Sequence, residues 1–201
     1  MDKPQLSFFQ RNVLSPVLRK KAKRLGEAMD KWLADAQKIL DFGCGDMILH
    51  NRMCQRWPNR NFVALDVLDT SLIVAKPFLY DGTDLPFSDN HFDLTFAVFA
   101  LHHCDDVAQS LSEICRVTRG RILMIEEIIT GPIQQKVTCI HDWIVNRMES
   151  SEVNIPVNFH RDTEWRQFFA DLGYQVTASP RVWQLPFFNL THQRLYVLDR
   201  C

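Results

Sequence analysis

The chain has 201 residues, 46% of them hydrophobic and 23% charged, with a formal net charge of −1. That size suits one globular domain able to bury roughly 70% of its unfolded surface without staples, and the balanced charge leaves no global field to recruit nucleic acid. The six cysteines form no C-x-x-C pair and no Cys/His cluster has zinc-finger spacing, so neither a disulfide framework nor a metal site is expected.

The opening residues lack the n-region and apolar h-region of a signal peptide, and no apolar run approaches the ~20 residues of a membrane span. The expectation is a cytoplasmic protein with no stable membrane insertion. Residues 10 to 36 set Val13, Leu14, Val17, Leu18, Leu25, Met29, Trp32 and Leu33 at three- and four-residue spacings. This predicts a helix with Ser15 as N-cap and Pro16 in its first turn. Five basic residues in six, from Arg19 to Arg24, read first as a solvated helix face and second as a contact for an anionic membrane or RNA. The element is expected to cap the sheet or cover a ligand.

Lys38 to His50 reads K-I-L-D-F-G-C-G-D-M-I-L-H: a short apolar strand, a Gly43-Cys44-Gly45 turn, then an amphipathic stretch from Met47 to Trp57. Two glycines around one residue allow positive φ and let a ligand approach bare main chain. A dinucleotide fingerprint requires a third glycine where Ile48 stands, and Asp41 and Asp46 bracket the turn, which opposes a pyrophosphate. A cationic ligand fits better. S-adenosyl-L-methionine carries a sulfonium and an ammonium, and Asp41 is placed to hold the ammonium directly or through water. An ordinary turn punctuated by glycines is the competing account.

Asn61 to Asp66 is the second strand, and Asp66 stands 21 positions after Gly45. That is close to the ~20 expected of a carboxylate that accepts from both ribose hydroxyls, although a strand-terminal Asp also serves as a turn former or cap. Only 15 positions separate Asp66 from Asp81, too few for a full crossover helix and a strand, so Phe78 to Tyr80 makes a brief third strand. Asp81 at the end of that strand could accept from an adenine amine and is preferred over Asp84, which could instead cap the turn. The near-continuous apolar run from His91 to Phe99 is the central fourth strand. Beyond its carboxyl end come Phe99, Leu101, His102, His103, Asp105 and Asp106, with one of the two aspartates capping a helix from Val107 to Val117. Arg121 to Ile125 is the fifth strand, ending in Glu126 and Glu127. A helix over 134–148 follows, then one over 163–172 with Asp162 as N-cap and Gly173 at C′, and strands over 174–178 and 195–199.

The segments D-F-G-C-G-D, L-D-V, Y-D-G-T-D-L-P-F, D-N-H-F-D, A-L-H-H-C-D-D, L-S-E-I-C-R-V and V-N-F-H-R-D-T-E-W resemble, in order and spacing, the class I S-adenosylmethionine-dependent methyltransferases. More narrowly they resemble the small type 11 methyltransferase-domain proteins, from about Ile39 to Leu198. The resemblance implies an α/β fold, a Rossmann-like doubly wound seven-stranded sheet, mostly parallel with the last strand antiparallel, and helices on both faces. Residues 1–201 would form one domain: a helical cap (1–36), a cofactor-binding core (37–127), a substrate lid (128–160), and a C-terminal helix and strand pair (161–201). It implies that Asp41, Gly43 and Gly45 hold the methionine moiety, Asp66 the ribose, and Asp81 with Gly82 the adenine. Val98 and Phe99 would lie along the cofactor, and Cys44 and Val67 complete the binding set. Two positions depart from the family pattern. Met47 replaces the glycine after the acidic loop residue, either crowding the cofactor carboxylate or pointing into helix packing. Thr118-Arg119-Gly120-Arg121 replaces Pro-Gly-Gly, read as a tighter loop.

The implied reaction is in-line methyl transfer to a small-molecule acceptor; the alternatives are an RNA or protein methyltransferase and a non-catalytic relative acting by interaction. Candidate bases are His103, His141 and His160, with Glu126, Glu127 and Asp142 as carboxylates. His103 directly follows the central strand, so His103, Glu126 and Asp142 form the expected catalytic set; hydrogen-bonded structural filler is the competing account of any one histidine. Asp142, Trp143, Asn146 and Asn158 match polar and aromatic positions recurrent in the resembled subgroup and are expected to line an acceptor pocket.

Overall fold

Apolar strands alternating with amphipathic helices have one economical packing, helices on both faces of a mostly parallel sheet. The computed structural model, which describes residues 15–33, 35–149, 158–182 and 192–200, has this architecture. Helix α1 (Ser15–Met29) runs into a 3-10 turn (Asp30–Trp32). Then come β1 (Lys38–Phe42), α2 (Ile48–Arg56), β2 (Asn61–Asp66), β3 (Phe78–Leu79), β4 (Phe92–Val98), a 3-10 turn (Leu101–His103), α3 (Val107–Val117) and β5 (Thr118–Ile128). Helices α4 (Pro132–Glu149) and α5 (Asp162–Asp171) precede β6 (Tyr174–Ala178) and β7 (His192–Arg200). The sheet order is β3-β2-β1-β4-β5-β7-β6. Strand β7 runs antiparallel to both neighbours and the other six share one direction. The doubly wound seven-stranded fold with a reversed last strand is therefore present.

Period-two alternation sorts the core into two layers. Leu40, Phe42, Ala97, Ile122 and Met124 face α3 and α5, packing with Leu111, Ile114, Trp165 and Phe169. Ile39, Leu94, Phe96, Leu123 and Ile125 point the other way, toward Leu25 and Met29 of α1 and Met53 of α2. Because the chain turns outward in opposite directions from β1 and β4, those adjacent strands form the topological switch point, where a crevice opens beyond the carboxyl ends. No helix among the described residues is long and apolar enough to cross a membrane.

Several boundaries differ from expectation. The first helix proper ends at Met29, and Ser15 is itself helical, its hydroxyl accepting from Arg19 Nε at 3.3 Å; residues 10 to 14 of the expected helix lie outside the described residues. Asp106 is the aspartate that caps α3, accepting from the Gln109 amide at 2.9 Å. Thr118 to Arg121 is no loop: β5 begins directly after α3, and the register against β4 shifts between Phe92 and Leu94. A Cβ on Gly120 would stand 2.3 Å from the Asp93 carbonyl oxygen, so the two strands approach too closely there for any side chain. Asp162 starts α5 instead of capping it, bonded to Arg166 Nε at 2.9 Å and accepting from Tyr196 Oη at 2.7 Å. The backbone N–H before it, that of Arg161, is bonded by Glu164.

Candidate functional site

The crevice at the switch point is a cleft of about 620 Å³, within the usual range of about 300–1,000 Å³ for small-molecule sites. Its floor is the loop after β1. Gly43 and Gly45 stand at φ 68° and 49°, and the Gly43 and Cys44 amides both donate to the Leu65 carbonyl, at 2.9 and 3.2 Å. The loop is thereby clamped to the end of β2. Asp66 tightens the clamp: Oδ2 accepts from the Gly45 amide at 2.8 Å, and Oδ1 from Val67 and Leu68 at 2.7 and 3.2 Å. Burial pushes the Asp66 carboxyl up, and these three amides oppose it.

All ten expected cofactor residues line the cleft: Asp41, Gly43, Cys44, Gly45, Asp66, Val67, Asp81, Gly82, Val98 and Phe99. Asp81 is tied into its own turn, accepting from the Thr83 amide and hydroxyl at 3.0 and 2.7 Å. The Cys44 thiol is held protonated by burial, and next by the charge of Asp41. Helix α1 forms one wall through Leu18, Lys21, Ala22 and Leu25, and Lys21 Nζ sits 4.6 Å from the centre of the Phe99 ring. One residue of the basic run thus faces the cleft. Among the described residues, seven aspartates line it (41, 46, 66, 81, 105, 106 and 142) against that one lysine, which favours a cationic ligand over a pyrophosphate.

Met47 does not intrude. It caps α2 with φ 64°, the left-handed region a glycine adopts freely, yet its side chain is 1% exposed and packs with Cys44, Ala64 and Ile73 away from the cleft. Buried packing outweighs the backbone preference at this position.

His50 is a site neighbour that sequence reading passed over. It lies on the first turn of α2, and its Nδ1 is 3.1 Å from Asp41 Oδ2, with both groups buried. A lone histidine on the apolar face of an amphipathic helix was the available signal. Burial pushes the Asp41 carboxyl up. Burial alone would lower His50, but the hydrogen bond to Asp41, with help from Cys54, raises it to about 10. A histidine raised on folding holds its proton more tightly in the folded state. Its contribution is complete below its ordinary value of 6.5 and is lost as pH rises through about 10. The melting temperature is expected to fall between about pH 7 and 10 more steeply in the wild type than in His50→Gln; parallel curves would dismiss the pair as a source of stability.

The expected catalytic residues divide. His103 and Asp142 line the mouth of the cleft, but Glu126 does not. Glu126 is 0% exposed, accepting from the Leu101 amide at 2.9 Å and lying 2.6 Å from His102 Nδ1. It is enclosed beneath the 3-10 turn, where it meets the Leu101 amide and His102, and does not border the cleft as expected of a catalytic carboxylate. The His102 and His103 rings lie 4.0 Å apart, and His102 stacks on Phe159. Asp142 Oδ1 is 3.4 Å from His102 Nε2 and 3.9 Å from His103 Nε2. Burial would lower His102, but the charge of Glu126 and the nearby Asp142 raise it to about 10; burial and then charged His102 push His103 down to about 4.

Of the remaining candidates, His160 packs against Trp165 and Phe168, Glu127 is buried, and His141 is exposed on α4. Trp143 is 54% exposed, and Asn158 Nδ2 donates to the Cys104 carbonyl at 2.7 Å, holding its segment to the 3-10 turn. The side chain of Asn146 lies outside the described residues.

Residues 40–124 match the family model of a methyltransferase domain. Over 117 residues the chain is 30% identical to a ubiquinone/menaquinone biosynthesis C-methyltransferase of Dinoroseobacter shibae, covering 50% of this chain and 47% of that protein. Over 98 residues it is 35% identical to a malonyl-(acyl-carrier protein) O-methyltransferase of Erwinia billingiae, covering 43% and 38%. The chain thus spans about half the length, or less, of these curated relatives. Its fold is similar to that of a geranyl diphosphate methyltransferase solved with S-adenosylmethionine, at TM-score 0.71 and 14% identity over 98% of this chain and 92% of that one. It is also similar to a magnesium protoporphyrin IX methyltransferase of Synechocystis PCC 6803 with bound S-adenosylhomocysteine, at TM-score 0.63 and 13% identity over 100% and 90%.

Proposed function

We propose that this chain, which has the class I methyltransferase fold and carries a methyltransferase domain at residues 40–124, binds S-adenosyl-L-methionine and methylates a small-molecule acceptor. The observation that carries this reading is the clamped glycine loop at the switch point, fenced by aspartates and joined through its Gly45 amide to the carboxylate at the end of β2.

The residues present fit the cofactor. A Cβ on Gly43 would sit 2.4 Å from Ala100 Cβ, so the loop is packed as closely as glycine allows. The acidic lining suits an ammonium and a sulfonium. Gly43, Cys44 and Gly45 would hold the methionine moiety, with Asp41 contributing through its pair with His50. Asp66 and Val67 would hold the ribose, Asp81 and Gly82 the adenine, and Val98 and Phe99 would lie alongside. When bound, the cofactor supplies an activated methyl: the acceptor's lone pair forms the new bond to carbon while the carbon–sulfur pair stays on sulfur. The chain's own work is then to orient the acceptor and take up its proton. His103 borders the cleft with Asp142 beside it, so it is the residue placed to take up that proton, with Glu126 fixing His102 behind it. Residues 37–127 supply the cofactor site, α1 covers it, and α4 brings Asp142 as part of a lid.

Calorimetry with S-adenosylmethionine and S-adenosylhomocysteine tests the cofactor; absence of binding at about millimolar ligand ends the reading. A metabolite-extract screen with methyl-labelled cofactor then identifies the acceptor. His103→Ala should keep cofactor affinity and lower turnover roughly tenfold or more, and an unchanged rate would remove His103 from the mechanism.

A further inference from the structure

Beside the mouth of the cleft His102, His103 and Asp142 bring their ligand atoms together. His102 Nδ1 is engaged by Glu126 Oε2 at 2.6 Å, which fixes the ring and leaves Nε2 facing Asp142, a residue that lines the cleft. The His102 side chain is 2% exposed, yet Nε2 has no hydrogen bond among the described residues. His103 Nδ1 is likewise buried without one. A buried polar atom left in this state is costly unless something else meets it. Between carboxylates, such a nitrogen holds a proton or a metal ion.

The geometry favours an ion. Asp142 Oδ1 is 3.4 Å from His102 Nε2 and 3.9 Å from His103 Nε2, and one donor atom from each of the three residues lies within 4.8 Å of the others. Nitrogen and oxygen ligands bound to one zinc at about 2.0–2.2 Å stand roughly 3.3 Å apart, so small side-chain rotations close the set. Two imidazoles and a carboxylate leave coordination positions open, which is the composition of catalytic and not of purely structural sites. A carboxylate buried behind a ligating imidazole, as Glu126 is behind His102, is the usual orienting partner of such a ligand.

We propose that His102, His103 and Asp142 bind a divalent first-row transition ion of the zinc class, with Glu126 orienting His102 and an open coordination position facing the cleft for an oxygen of the acceptor. This deepens the proposed function, resting on it for the acceptor's position, and narrows the acceptor to one bearing a hydroxyl or enol. An ion held there would make His103 a ligand instead of the proton acceptor, and would supply the acidification of an acceptor hydroxyl whose proton would leave to water. Zinc-finger spacing could not disclose the site, because Asp142 lies on α4, remote in sequence from the histidine pair.

The test uses the full chain, free of any affinity tag and stripped with a chelator, and titrates it with Zn²⁺ alone by calorimetry and with Co²⁺ by visible absorption. One ion per chain is expected at micromolar or tighter affinity, with cobalt bands of intensity typical of four- or five-coordination. Asp142→Asn, at a partly exposed position that leaves the core intact, should weaken Zn²⁺ at least tenfold, and Glu126→Gln, which touches no ion, should weaken it by roughly 10- to 100-fold. S-adenosylhomocysteine binding by the stripped wild type is measured in parallel as an independent readout of the cofactor site. No ion bound by the wild type, or binding undiminished in Asp142→Asn, overturns the proposal. If S-adenosylhomocysteine still binds in that case, the proposed function stands with His103 as proton acceptor; if neither ligand binds, both readings fall.

Discussion

Gly43→Ala is expected to lower the melting temperature by roughly 5–15 °C and to weaken S-adenosylhomocysteine binding more than tenfold. Two effects act together. The new Cβ would lie 2.4 Å from Ala100 Cβ, and the residue would be held at φ 68°, where an L side chain is strained. Overpacking costs about 1–3 kcal/mol and left-handed strain about 1–2, and each kcal/mol moves the midpoint of a domain this size by about 2–4 °C. Neither wall yields cheaply. Ala100 is buried at the end of β4, and the Gly43 amide is committed to the Leu65 carbonyl. Gly45→Ala is the control: its Cβ meets no atom within 4 Å, and only the strain at φ 49° remains. Its ligand-free melting temperature should fall by less than half as much. Equal losses in the two variants would show that collision with Ala100 is not the cause.

Asp66→Asn should weaken S-adenosylhomocysteine roughly 10- to 100-fold, as expected for loss of a charge-assisted hydrogen bond worth about 1.5–3 kcal/mol. The wild-type carboxylate accepts from the Gly45, Val67 and Leu68 amides. An amide side chain must turn its NH₂ group toward one of those donors, so the tie between the glycine loop and the end of β2 weakens as well. A ligand lacking the ribose hydroxyls separates the contributions. The wild type should lose affinity for it, whereas Asp66→Asn should scarcely distinguish it from the parent ligand, leaving a coupling energy in the double cycle. If Asp66→Asn binds as tightly as the wild type, the ribose contact is elsewhere.

Both substitutions fall on residues legible in the linear sequence, because they belong to local signals. A glycine that must take positive φ, and a carboxylate ending an apolar strand at fixed spacing, are properties of a short βαβ unit, and that unit was readable from Ile39 to Asp66. The apolar run from Phe92 to Val98 likewise identified the central strand, since a strand covered by helices on both sides has no polar face. The Glu113–Arg116 pair was not legible. Its Glu113 carboxylate accepts from the Leu85 amide at 2.8 Å and its guanidinium holds the Leu85 and Phe87 carbonyls, pinning the loop after β3 from a helix 28 residues away.

By itself, then, the sequence determined the order of strands and helices, the glycine loop between β1 and α2, and the sign of charge around it, because each depends on neighbours within a few residues. Tertiary structure alone decided which way Met47 turns, that His50 joins Asp41, that Glu126 is enclosed behind His102 instead of bordering the cleft, and that Asp142 meets the histidine pair. These are contacts between elements distant in the chain. Their outcome follows from which side chains the folded core leaves room for and which buried polar atoms must find a partner, and no local pattern encodes that.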